Sequence, residues 1–458
     1  MGVLLKGGTI ISAEKSWQAD VRMEEEKIVE IGTDLSQKGD EVIDVTGKLL
    51  FPGFIDTHTH FDLDNGVFMT ADDFETGTMA AVAGGTTTVL DFATQNKGET
   101  LCEALENWHK KADEVSSCDY GFHMAITDWN EETKKEIPIM TKEGVTSYKL
   151  YMAYDALRVN DGEIFDVLKA VRQENGIVGM HCENGDLVNK LVASEKAAGH
   201  FGPEAHPASR PDTVEAEAIY RYMAIAKMAD APVNVVHLST KRGLELIKQA
   251  RMEGQKVYIE TCPQYLLMND DKYSLPDFEG GKYVMSPPLR KPSDSEALWQ
   301  ALKEDVADTV GTDHCSFQFK GQKDYGKDDF SKIPNGAPGV EHRPALMYHF
   351  GVREERITKE QMCRLLAENP ARLFGMYPQK GAIQVGSDAD IVVWNPETEW
   401  TIKAESQVQN VDYTPYEGIK IKGRPELVFL RGRLTAENGK VVEKHGGAYV
   451  RRKACEYF

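Results

Sequence analysis

The sequence predicts an α/β protein: a (β/α)8 barrel of the TIM type, joined to a small β-sandwich domain that both chain termini build. Two observations point there. Through the middle of the chain, short apolar runs alternate with segments of helical pattern, the order expected of parallel βα units. At both ends the helical segments give way to short strands broken by Gly, Asn and Ser. The 458 residues, 41% hydrophobic and 28% charged, suffice for such a core, since a barrel of this kind uses about 250 residues or more as one unit.

Residues 2–12 read as a strand interrupted at Gly7-Gly8, residues 20–31 alternate in polarity, and residues 41–45 form a further strand before a turn at Thr46-Gly47-Lys48. Eight barrel strands are expected at 51–60, 86–92, 120–126, 147–152, 177–182, 233–238, 256–261 and 309–313. Asp212-Thr213-Val214-Glu215 has the pattern of a capping box opening a long helix, and Thr358-Lys359-Glu360-Gln361 opens another. Gly386-Ser387-Asp388-Ala389-Asp390 turns into an apolar strand at 391–394, followed by strands at 427–431 and 441–442. The expected boundaries are 1–50 plus 382–445 for the β domain, 51–381 for the barrel and 446–458 for a C-terminal tail. The two halves of the β domain must meet in space, as chain termini often do. A doubly wound open sheet is the alternative for the central region. The tail, basic at Arg451, Arg452 and Lys453, reads either as a frayed end or as a strap onto a neighbouring subunit.

A formal net charge of -20 leaves no basic stripe to neutralise phosphates, which argues against nucleic acid as a partner. Seven scattered cysteines without a C-x-x-C pair argue against a disulfide framework and fit a reducing cytoplasm. No charged segment followed by an apolar one opens the chain, so no signal peptide is expected, and no apolar run approaches the ~20 residues of a membrane span.

Catalytic groups of a barrel sit at the C-terminal ends of its strands, and every candidate ligand lies at such an end. His58-Thr59-His60 closes the first strand; residues two apart on a strand share a side, which suits capture of one metal ion by two imidazoles. The alternative is a pair of surface histidines. Lys149 stands within the apolar run 147–152, where a charge is costly. It either snorkels to solvent or loses its charge, and a neutral amine can add carbon dioxide to become an anionic, metal-bridging carbamate. His181 and His237 each terminate an apolar run, as core residues or as ligands, and occurring together on one barrel they favour the ligand reading. Nitrogen with carboxylate oxygen suits zinc. Asp313, in Gly311-Thr312-Asp313-His314, reads as a helix N-cap or as a carboxylate that touches metal and shuttles a proton.

These residues, with Gly84-Gly85-Thr86-Thr87-Thr88, His181-Cys182-Glu183-Asn184, Glu260-Thr261-Cys262-Pro263-Gln264-Tyr265-Leu266, Ser286-Pro287-Pro288-Leu289-Arg290, Pro334-Asn335-Gly336 and Asp412-Tyr413, resemble the binuclear amidohydrolase superfamily. Within it the chain is most similar to the dihydropyrimidinase and D-hydantoinase family, over almost its whole length. The resemblance implies the barrel and terminal β-sandwich, usually a homotetramer, and two zinc ions bridged by carboxylated Lys149 (an N6-carboxylysine) and a hydroxide. One zinc would take His58, His60, Lys149 and Asp313, and the other Lys149, His181 and His237. It also implies that Tyr154 faces the developing oxyanion, and that Ser286 and Asn335 hydrogen-bond the ring amides, largely through the backbone; on residue type alone these three read as a packing aromatic and two turn residues. The activity implied is ring opening of 5,6-dihydropyrimidines such as dihydrouracil, or of 5-substituted hydantoins, to N-carbamoyl amino acids. Asp313 would serve as general base and then general acid.

Three other functions compete. Dihydroorotase shares the fold, but its carboxylate substrate is met by an arginine two residues after the second histidine, where this chain has Phe61 and Asp62. Allantoinase is a nearer competitor, separated only by the matched motifs. A non-catalytic scaffold of the same fold lacks the ligand set that is complete here. Residues 63–70, 93–98 and 155–159 are expected to gate the ring substituent, with Phe68, Met69 and Leu157 as apolar lining.

Overall fold

The computed structural model describes residues 2–458. Eight strands pair in parallel in the order in which the chain makes them: Phe54–Thr59, Thr86–Thr94, Asp119–Ala125, Ser147–Tyr151, Ile177–His181, Val233–Val235, Val257–Thr261 and Thr309–Val310. The ring closes just beyond the last strand, where His60 N donates to His314 O at 2.8 Å and Thr59 bridges His314 in parallel. A barrel, not an open doubly wound sheet, is therefore formed. Its strands are buried on both faces, because side chains fill the interior and helices cover the outside.

The strand expected at 51–60 is two strands in two sheets. Leu49–Pro52 pairs with Ile391–Thr401, whereas Phe54–Thr59 enters the barrel. Gly53 makes the transfer possible: a Cβ there would lie 2.0 Å from Thr87 Oγ1. The expected strands at 233–238 and 309–313 are shorter, ending at Val235 and Val310, because His237 (φ 41°) and Asp313 (φ 53°) adopt left-handed backbone that no strand continues through. The capping box expected at Asp212 is absent: helix Asp212–Ala229 starts after Pro211 with no side-chain cap. Glu215 is instead buried, accepting from Ser239 N and Arg290 Nη2 at 2.9 Å each. The box at Thr358 and Gln361 is present.

Both termini build one nine-stranded mixed sheet in which Val3–Ile11 and Leu49–Pro52 lie beside Ile391–Thr401 and Lys420–Leu430. The expected break at Gly7-Gly8 is a register shift between Leu5 and Gly8. Leu5, Ile10, Val21, Ile391, Val393 and Phe429 form a core belonging to this sheet.

The two units meet at Lys380, which is buried with its Nζ 2.5 Å from Asp119, 2.9 Å from Asp388 and 2.7 Å from Asp390. Burial alone would push this amine's pKa down, but the three carboxylates outweigh it and hold the pKa well above its ordinary value. Lys380→Met is expected to cost about 3 kcal/mol or more, because it leaves buried Asp390 without its counter-charge, while Asp119 keeps Arg431 and Asp388 keeps Lys27. The loss should shrink as pH falls and Asp390, whose burial favours the neutral acid, protonates. Urea unfolding at pH 8 and pH 5 measures both; equal stability of variant and parent at pH 8 would refute the assignment.

The tail lies on its own chain's barrel. It crosses the N-terminal ends of the strands: Tyr120 N donates to Ala448 O at 3.1 Å, Arg452 N to Gly144 O at 3.3 Å and Cys455 N to Asn175 O at 3.1 Å. Gly375 lets it pass, since a Cβ there would stand 1.9 Å from Lys453 O. Arg452 is buried in this floor, donating to Ser147 Oγ at 2.7 Å and to Phe122 O. All seven cysteines are free, and among the described residues no helix is long and apolar enough to cross a membrane.

Candidate metal centre

The four histidines, Lys149 and Asp313 converge at the open end of the barrel. His58, on Phe54–Thr59, and His60, just after it, point the same way, as a two-residue spacing dictates. Each offers Nε2 to Asp313 Oδ1 at 3.2 Å, and ligand atoms of these three residues lie within 4.8 Å of one another. His181 ends its strand and His237 follows its own by two residues; His181 Nδ1 and His237 Nε2 face each other at 3.0 Å. The ring centroids of His58 and His237 are 5.4 Å apart, so the two pairs share one chamber. Lys149 is 1% exposed, its Nζ over the rings of Phe92 and Tyr151 at 5.2 and 5.4 Å, with no carboxylate in ion-pair contact among the described residues. The snorkelling alternative does not hold, and neither does the surface reading of His58.

The electrostatics suit metal ligation. Burial pushes Lys149 down to about 8, opposed by Asp313 and Glu260. Burial also lowers His60 to about 4 and holds His237 well below its ordinary value, leaving neutral imidazoles ready to donate a lone pair. His58 is the exception: burial is overcome by Glu260 and Asp313, which raise it to about 9. Its Nδ1 is 2.6 Å from Glu260 Oε1, while its buried Nε2 has no hydrogen-bond partner. A carboxylate behind an imidazole whose other nitrogen is vacant is the usual support of a metal-bound histidine. For Asp313, burial favours the neutral acid, but the nearby His58 charge and the approach of the His58 and His60 Nε2 atoms to its Oδ1 hold it well below the usual carboxylate range. The donor set, nitrogen plus carboxylate, fits zinc.

Other buried groups fix these ligands. Glu183 Oε2 lies 2.8 Å from His181 Nε2 and 2.5 Å from Arg210 Nη1, and the Arg210 guanidinium stands 5.6 Å from the Tyr154 ring centroid. Tyr154 (φ 68°) leans on His181 with ring centroids 5.2 Å apart. The Ser286 hydroxyl is buried near the Tyr154 phenol without an aligned hydrogen bond of its own. Asn335 lies half-buried in the loop that Gly336 N ties to Val284 O at 3.1 Å. Sequence reasoning did not single out Glu260, Glu183 or Arg210. The signal for Glu260 was available: a carboxylate inside the apolar strand Val257–Thr261. Asp62, which stands where dihydroorotase carries its arginine, accepts from Phe74 N at 3.0 Å.

A family model described as the amidohydrolase family matches residues 49–442. The chain belongs to the amidohydrolase family. As a member of that family it is a hydrolase. Among its relatives, a D-hydantoinase of Geobacillus stearothermophilus is 44% identical over 99% of this chain and 97% of its own length. A D-hydantoinase of Streptomyces coelicolor is 43% identical over 99% of this chain and 98% of its own. The crystal structure of the dihydropyrimidinase from Brevibacillus agri NCHU1002 superposes with a TM-score of 0.98 at 43% identity, covering 99% of both chains. Amidohydrolase membership and the buried ligand cluster thus agree, and they leave the scaffold reading without support.

Proposed function

We propose that this amidohydrolase opens uncharged cyclic amides, dihydropyrimidines or 5-substituted hydantoins, to N-carbamoyl amino acids. The observation that carries the reading is the enclosed chamber of four imidazoles, Asp313 and a buried, unpaired Lys149, in a chain similar over its full length to proteins named D-hydantoinase and dihydropyrimidinase. His58, His60, Asp313 and Lys149 would hold one zinc ion, and His181, His237 and Lys149 the other, with Lys149 as its carbamate. When bound, such ions acidify water and polarise a carbonyl.

The chain's own residues then do the following. Asp313, held ionised, accepts a proton from the attacking water and returns it to the ring nitrogen as the C–N bond breaks. Water's oxygen ends on the acyl carbon as a carboxylate, and the ring nitrogen leaves as part of the ureido group. Tyr154, whose phenol is kept protonated by burial, donates to the oxyanion formed midway. Ser286 and Asn335 hold the ring amides, and residues 63–70, 93–98 and 155–159 surround the substituent.

Turnover of dihydrouracil, dihydrothymine, allantoin and phenylhydantoin, measured side by side before and after chelation and zinc reloading, tests the reading. The expected result is zinc-dependent hydrolysis of dihydrouracil or phenylhydantoin above allantoin. Absence of hydrolysis of every ring by zinc-loaded protein would overturn it.

A further inference from the structure

Lys323 is fully buried, and no carboxylate pairs with it among the described residues. Its Nζ donates instead to two backbone carbonyls, Val284 O and Pro334 O, each at 2.9 Å. Those carbonyls belong to separate loops. One lies two residues before Ser286, and the other immediately precedes Asn335. The loops touch directly through Gly336 N and Val284 O, so the ammonium completes a junction that backbone bonding begins.

The segment that carries Lys323 is pinned in turn. Phe319 N and Lys320 N donate to Asp412 at 2.6 and 3.1 Å, Lys323 N donates to Gln318 O at 3.0 Å, and Gln322 Nε2 reaches Met69 O at 2.8 Å in the expected gate loop. A buried amine without a counter-charge is costly. A methionine of similar length would fill the space without that cost but would leave Pro334 O without its donor and Val284 O with Gly336 N alone. The lysine at this position is therefore explained by the two carbonyls it holds at fixed separation. Burial also pushes its pKa down to about 7, and the neutral amine still donates to both.

We propose that Lys323 is a positioning residue for the substrate ring: it sets the spacing of the Ser286 and Asn335 loops, so that both reach the amides of one ring at once. This rests on the reading of those loops under the proposed function. It touches no reacting atom, so its removal affects ring binding and leaves the metal ligands in place. Because it acts on the loops that hold the amides, the effect falls equally on rings with and without a substituent.

The test compares zinc-loaded wild type with Lys323→Met and Lys323→Gln, the shorter amide of Gln reaching only one carbonyl. For Lys323→Met the expected result is KM raised at least tenfold for both dihydrouracil and a 5-substituted hydantoin, with kcat within about threefold and zinc content unchanged. Lys323→Gln is expected to lie between this variant and wild type, and it carries the test if the Met variant does not fold. A purely structural lysine would lower the unfolding midpoint and leave KM in place. Unchanged KM in whichever variant folds, while wild type turns the rings over, overturns the proposal and leaves the function standing. A wild type that opens no ring overturns both.

Discussion

Asn at position 313 is expected to lower kcat by at least about a thousandfold in a protein that still folds, the loss that removal of a positioned proton carrier produces. The side chain has the size and shape of the carboxylate it replaces, so the left-handed turn at φ 53° and the approach of both imidazoles can persist. What disappears is the means of accepting a proton from water and returning it to the ring nitrogen. His58 and His60 keep Asp313 ionised against its burial, so the wild-type carboxylate is in its proton-accepting form throughout the neutral range. Metal analysis beside the kinetics separates loss of the proton carrier from loss of a ligand. A fully metallated Asp313→Asn within tenfold of wild type would remove Asp313 from the mechanism.

Lys149→Met is expected to act in opposite directions on function and on stability. Turnover should fall by a thousandfold or more, with metal lost, because under the proposed function the Lys149 carbamate is what bridges the two ions. The metal-free variant, in contrast, should be the more stable protein near neutrality. Burial lowers the Lys149 pKa from 10.5 to about 8, so at pH 7 the metal-free wild type carries a charged amine whose folded state disfavours the proton. A shift of that size corresponds to at most about 3 kcal/mol. The sign follows from linkage: a depressed lysine destabilises below its folded pKa, and the penalty fades as pH rises through about 8 toward the unfolded value. Urea unfolding of chelator-treated proteins should therefore show the variant ahead at pH 7 and the gap narrowing at pH 9.5. A variant that keeps both metals and its turnover would sink the bridging assignment.

The legible part of this protein was its strand-end chemistry. His58, His60, His181, His237 and Asp313 each follow an apolar run, and the barrel rule turns that position into convergence. Lys149 was visible as an anomaly, a charge in an apolar strand, but its pairing state was not. Features set by tertiary contact were hidden. Gly53 divides one apolar run between two sheets because Thr87 sits where its side chain would be. Glu215 abandons a capping role that local pattern assigns it because Arg290 and Ser239 meet it inside the protein. Lys323 opens the 3-10 turn Lys323–Gly326 and Arg210 caps the short helix Ala205–Ser209, elements too brief to show a periodicity, so nothing local marks these residues as buried.

The C-terminal tail that floors the barrel is also wired to the metal chamber. Arg452 donates to Ser147, whose hydroxyl also meets His123, which in turn contacts Thr57 O on the strand bearing His58. The floor thus couples the tail to the metal chamber: a change at Arg452 reaches the strand bearing His58 through Ser147 and His123, although Arg452 touches no ligand residue.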